Sequence, residues 1–110
     1  MDWKILNDSA QLEAIKKNSF ERSQVIFKHS TRCSISAVAK NRLEKSAVPE
    51  NVDFYYLDLI SYRNISNEVA EKFNVFHESP QVLVIRNGEC VYDESHMSIS
   101  MNEIAEQAAA

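Results

Sequence analysis

Cysteine is the side chain whose ionised form is both nucleophile and leaving group in disulfide exchange, and this 110-residue chain has two, Cys33 and Cys90. They form no C-x-x-C pair and show no zinc-ligand spacing, and in a reducing compartment a structural disulfide between them is disfavoured. Their surroundings separate them. Cys33 falls where a short apolar strand gives way to a helix, a junction at which helix amides point outward and favour the thiolate, and Arg32 adds positive charge beside it. Cys33-Ser34-Ile35-Ser36 keeps the spacing of a dithiol motif with serine in the last place. A hydroxyl at Ser36 can hydrogen-bond a thiolate one turn away but cannot attack a mixed disulfide. This pattern predicts one exchange, completed only when another thiol releases the adduct. For Cys33 taken alone, the competing reading is a small hydrophobic residue buried in a helix face.

Pro80 directly precedes the apolar run Val82-Leu83-Val84-Ile85, and proline is tolerated at a strand's first residue but not in its middle. Cys90 sits beside Asn87-Gly88, at the other end of that strand. Five strand residues from Pro80 to Ile85 span roughly 17 Å, whereas a disulfide needs Cα atoms within about 7 Å. Cys90 is therefore expected to be packing. His77 and Glu78, just ahead of Pro80, either line a site or are solvated loop residues. His29 lies four residues before Cys33, a spacing that would share a helix face, but without a helix there the two are not a metal pair. His96, Met97 and Met101 are soft ligands without metal spacing, and Phe54, Tyr55, Tyr56 and Phe73 read as core and sheet residues.

These residues must be placed by the elements around them. Residues 8–17 repeat apolar positions at helical spacing, with Ala10, Leu12 and Ile15 near one face and Asp8 or Ser9 as the cap. Val25-Ile26-Phe27 reads as a short buried strand, and Lys28 to Arg32 as a polar turn. A helix from Cys33 to Glu44 places Ile35, Ala39 and Leu43 at intervals of four. After a loop at Pro49, Val52–Leu59 reads as a strand and Asn64–Phe73 as a helix, with Asn74 as its left-handed C-cap. Val82–Ile85, Asn87-Gly88 and Cys90–Tyr92 form a hairpin through a type I′ turn. Ser100 and Glu103 suit a capping box on a last helix running into the closing alanines. The order α-β-α-β-α-β-β-α predicts one α/β domain over 1–110. Its expected form is a mixed four-stranded sheet with helices on both faces, the thioredoxin order. In that fold the proline at Pro80 is cis and faces the active-site cysteine; the competing reading is an ordinary trans proline ending a loop.

Composition narrows the function. Hydrophobic residues at 45% and charged residues at 25% describe an ordinary globular chain. A net charge of -4 argues against a general nucleic-acid binder. With one glycine, Gly88, there is no Walker loop and no G-x-G-x-x-G fingerprint. No apolar run approaches the roughly 18 residues of a membrane span, and Met1–Leu6 is too short and charged for a secretory core. A cytoplasmic protein is expected.

Lys28-His29-Ser30-Thr31-Arg32-Cys33-Ser34-Ile35-Ser36-Ala37 resembles the active-site stretch of the monothiol bacilliredoxins, the YtxJ-like family. Asn74-Val75-Phe76-His77-Glu78-Ser79-Pro80-Gln81 resembles the family's cis-proline segment, and Asn87-Gly88-Glu89 its following turn. The similarity runs from Asp2-Trp3 to the C-terminal helix. It implies a thioredoxin-like fold and a single redox cysteine that removes bacillithiol, a low-molecular-weight thiol, from protein mixed disulfides. By position, Cys33 would be the attacking thiol, Ser36 would replace the resolving cysteine, and Pro80 would be the cis proline. Arg32 and Ser34 would support the site, while Thr31, His77, Glu78 and Ser79 would border the thiol-binding groove. Bacillithiol would be a co-substrate and bacillithiolated proteins the partners, with no bound cofactor, metal, nucleic acid or membrane. The family usually has proline after the cysteine. Here Ser34 restores a backbone N–H and adds a hydroxyl, both potential donors to the sulfur. Exchange with another thiol such as glutathione or coenzyme A, a binding module in which Cys33 is dispensable, and a metal-cluster carrier are the alternatives.

Overall fold

The computed structural model describes residues 1–109; Ala110, the last of the closing alanines, lies outside them. In chain order the elements are β1 Lys4–Ile5, α1 Ala10–Asn18, β2 Ser23–His29, α2 Ser34–Lys45, β3 Val52–Asp58, α3 Arg63–Lys72, β4 Gln81–Arg86, β5 Glu89–Ser95, a 3-10 turn His96–Ser98, and α4 Met101–Ala109. The sheet runs β1-β3-β2-β4-β5. β1 and β2 lie parallel to β3, whereas β4 is antiparallel to both β2 and β5.

The two central strands are buried along nearly their whole length because helices cover both faces, so each reads as a continuous apolar run rather than an alternation. Period-two geometry still sorts their side chains. Val25, Phe27, Val82 and Val84 pack with Ala39 and Leu43 of α2 and Ile104 of α4. Ile26, Leu83 and Ile85 pack with Leu12 and Ile15 of α1 and Ile65, Val69 and Phe73 of α3.

The turn chemistry follows the residues. Asn74 closes α3 at φ 54°, while Asn87 and Gly88 take φ 52° and 81°, the positive pair a type I′ turn requires. Ser19 holds that turn onto α1, its carbonyl accepting from Asn87 N–H at 3.0 Å and its Oγ from Gly88 N–H at 2.8 Å. At the start of α1 it is Asp8 that caps, its Oδ1 accepting from Ala10 N–H at 2.9 Å. Ser100 Oγ meets the Glu103 N–H at 3.5 Å.

Four expectations are corrected. The sheet has five strands rather than four. The added β1 is two exposed residues long, too short for any periodicity, and is defined by backbone pairing with β3 and by Leu6 N–H donating to the Tyr56 carbonyl at 2.9 Å. β2 continues through Lys28 and His29, read from sequence as a turn, and both are buried there. On α2 the buried face is Ser36, Ala39 and Leu43, not Ile35, Ala39 and Leu43; the i, i+3, i+7 row faces the sheet and leaves Ile35 41% exposed. On α1 only Leu12 and Ile15 are buried, and Ala10 is exposed.

Candidate functional site

The pairing of Lys28 with Gln81 fixes the location. It brings the C-terminal end of β2 and the N-terminal end of β4 to one end of the sheet, so the loop carrying Cys33 and the loop ending in Pro80 meet there. Cys33 is the N-cap of α2 in an extended conformation, φ -112° and ψ 122°. Its carbonyl accepts from Ala37 N–H at 3.1 Å, and its own N–H donates to the Ser30 carbonyl at 3.2 Å. The cysteine is thus held at the start of a twelve-residue helix, where the unsatisfied first-turn amides and the positive end of the helix dipole lie. Its thiol is free and half-buried. Thr31, Arg32 and Ser34 are exposed around it. The Ser79–Pro80 peptide bond is cis. Pro80 is buried and Ser79 half-buried, the Ser79 Oγ having no hydrogen-bond partner among the described residues.

Ser36 does not face the solvent around Cys33. It is fully buried, accepting from Ser30 N–H at 3.0 Å and lying 2.7 Å from His29 Nδ1. The hydroxyl oxygen expected beside the thiolate is instead built into the strand-to-helix turn, because the sheet-facing row of α2 begins at Ser36. His29 packs between Phe27 and Tyr56, with ring centroids 5.9 and 5.5 Å away. Burial, with the Lys40 charge, holds its pKa below the usual imidazole value, against the pull of Asp58, a Ser36 hydrogen bond and Glu44.

Cys90 is elsewhere. It pairs with Ile85 at the bulge between β4 and β5, four strand residues or about 13 Å from Gln81. It packs against the core on the α1 and α3 face, with its Sγ 3.3 Å from the Tyr92 carbonyl. Burial pushes its thiol up to about 11. It is a packing residue, remote from the site.

Beneath the loop leading to Pro80 lie two residues that the sequence reading passed over. Lys28 and Gln81, cross-strand partners, are both fully buried. Gln81 Nε2 donates to the Phe76 carbonyl at 2.9 Å, and Glu78 N–H donates to Gln81 Oε1 at 3.3 Å. Lys28 Nζ donates to the Ser66 carbonyl of α3 and to His77 Nδ1, each at 3.2 Å. Burial brings Lys28 from the usual 10.5 down to about 8. The available signal was a polar residue at a strand end opposite another polar residue, which can be recognised only once the strands are paired. His77 and Glu78 are exposed above this floor. His77 is held below the usual imidazole range by burial of its ring and by the Lys28 and Arg63 charges, with Glu78 opposing. Glu78 lies 3.7 Å from His96, and His96 N–H donates to the Pro80 carbonyl at 3.0 Å, tying the loop to the end of β5.

The arrangement is a partly exposed thiol at a helix N-terminus, at the same end of the sheet as a cis proline, with the other thiol at the far end. Known proteins share the fold that carries it. A solved protein described as having a thioredoxin fold superposes with a TM-score of 0.80 at 35% identity, over 94% of this chain and 90% of its own. Thioredoxin from Malassezia sympodialis matches at 0.76 and 16% identity, over 99% and 92%. Thioredoxin O2 from Arabidopsis thaliana matches at 0.71 and 17%, over 96% and 92%. The last two share the fold alone. A family profile described as monothiol bacilliredoxin BrxC matches residues 4–104. With its thioredoxin fold and its thiol at the head of α2, the chain belongs to the monothiol bacilliredoxins, a family of thiol–disulfide redox proteins.

Proposed function

We propose that this protein is a monothiol oxidoreductase that strips bacillithiol from bacillithiolated proteins, with Cys33 as its only redox residue. The observation that carries this reading is the isolation of Cys33. It sits at the head of α2, Ser36 occupies the place of a resolving thiol, and Cys90 is half-buried at the other end of the sheet. In the first step the Cys33 thiolate attacks the bacillithiol sulfur of the mixed disulfide. A new S–S bond joins Cys33 to bacillithiol, and the target protein leaves as its thiolate and takes a proton from solvent. In the second step a thiolate, bacillithiol or that of a partner reductase, attacks the adduct and releases Cys33. Electrons are conserved at each exchange, so the chain needs no bound cofactor.

Thr31, Arg32 and Ser34 surround the sulfur and supply charge and donors to the thiolate. Ser79 and Pro80 form the opposite wall, and His77 and Glu78 border the groove that takes the thiol. Ser36 supports the turn from beneath. A cytoplasmic location fits this substrate.

Intact-mass spectrometry tests the proposal. Reduced wild type and Cys33→Ser are each mixed with a bacillithiolated model protein, with a glutathionylated one as control. A single bacillithiol adduct on wild type, absent from the variant and weak with glutathione, is expected. No adduct from either substrate overturns the proposal, and equal uptake of glutathione overturns its thiol specificity.

A further inference from the structure

Nothing in the exchange at Cys33 itself calls for a lysine sealed inside the fold. Lys28 is fully buried, and both acceptors of its Nζ, the Ser66 carbonyl and His77 Nδ1, are neutral groups. A buried ammonium without a carboxylate partner is costly, and a methionine or leucine would fill the same space more cheaply. What it does hold is specific. The backbone of the loop is already fixed by Gln81, which bonds both Phe76 and Glu78. Lys28 fixes the one side chain between them.

We infer that Lys28 is a positioning residue for His77: its amine, donating to Nδ1 from below, holds the imidazole as the Nε2–H tautomer and presents that N–H outward as a donor to the thiol-bearing substrate. An ammonium has only donors, so the nitrogen it meets must be the unprotonated one, and the proton of the neutral ring then sits on Nε2. Ser66 Oγ lies 3.3 Å from the same Nδ1, so both inward partners crowd one nitrogen while the residue as a whole is exposed. The charges around the ring come from three elements: Lys28 of β2, Arg63 of α3, and Glu78 in the loop itself. The two cations and burial of the ring keep it neutral, opposed by Glu78. The purpose of the outward N–H rests on the thiol-exchange reading above; the tautomer does not.

Long-range proton–nitrogen NMR of the histidine rings in the wild-type protein, with His77→Ala for assignment, decides the tautomer. An acceptor-type Nδ1 and a protonated Nε2 are expected at neutral pH; the opposite tautomer, or averaging between the two, overturns the inference. In Lys28→Met the single tautomer should give way to averaging and the titration midpoint of His77 should rise, while Lys28→Arg, which keeps a donor, should preserve the tautomer. Uptake of the bacillithiol adduct by Cys33 should slow by about tenfold in Lys28→Met, the worth of one hydrogen bond. It should slow by a similar factor in His77→Ala, with no further loss when the two are combined. Losses that multiply in the double variant would show Lys28 acting independently of His77 and overturn its positioning role. If wild type takes up no adduct at all, the thiol-exchange reading fails, and the NMR result on wild type still decides whether Lys28 sets the ring.

Discussion

Lys28→Met should make the protein more stable at neutral pH, and the gain should vanish in alkali. Lys28 holds its proton less tightly in the fold than in the unfolded chain, with a pKa of about 8 against the ordinary 10.5. Burial of the charge is the cause. At about 1.36 kcal/mol for each pH unit, the charged side chain costs the fold about 3 kcal/mol, in full below pH 8. Between about pH 8 and 10.5 the unfolded chain holds the Lys28 proton more than the folded one does, so the contribution of Lys28 to wild-type stability rises with pH through that window. Above it the lysine is neutral in both states. Methionine nearly conserves the volume, and the Ser66 carbonyl lies within α3, where helical amides serve it. Urea unfolding of both proteins, followed by the fluorescence of Trp3, would measure this; Trp3 is the single tryptophan, and its ring stacks 5.7 Å from Phe27. The variant should exceed wild type by about 3 kcal/mol at pH 7, with the gap closing as pH approaches 10. Titrating groups other than His77 cancel in the difference. A variant less stable than wild type at pH 7, or a gap that ignores pH, would refute the reasoning. A residue that lowers stability is usually kept for what it does, which is why the same variant is expected to slow adduct uptake.

Alkylation of the native protein at pH 8 should label Cys33 and spare Cys90. With its thiol near 11, only about one Cys90 in a thousand is ionised at that pH; peptide mapping before and after denaturation reads the difference. Cys90→Ala should leave the adduct on Cys33 unchanged in mass and amount. Ser36→Ala should destabilise by about 1–3 kcal/mol, because it leaves the buried Ser30 N–H without its acceptor; urea unfolding checks it. Gly88→Ala should cost about 1 kcal/mol from the left-handed backbone at φ 81°. The added Cβ also falls 2.9 Å from the tip of Phe20, an exposed ring that can swing aside, so the thermal midpoint should drop by only a few degrees.

Local chemistry made much of this protein readable in advance. The order of helices and strands followed from apolar periodicity, the hairpin from Asn87-Gly88, and the end of α3 from Asn74, since these depend on neighbours a few residues away. The position of Cys33 at the head of a helix, and the distance of Cys90 from it, followed from that order alone. Residues at element boundaries were read less well. Lys28 and His29 looked like a turn because charge and polarity argue against burial, and only the pairing of β2 with both β3 and β4 carries them inside. β1 escaped notice because a two-residue strand has no period and exists through its partner. Ile35 looked like core because its spacing to Ala39 and Leu43 suits a helix face. The docking angle of α2 on the sheet gave that place to Ser36, and with it turned the hydroxyl inward. Sequence by itself determined which sulfur heads a helix and which elements would carry it. The tertiary structure alone decided what lies beneath: cross-strand register set Lys28 beside Gln81, and packing against α3 brought His77 onto Lys28. Contacts between residues 49 apart leave no local pattern to read, because they arise only when separate elements close on one another.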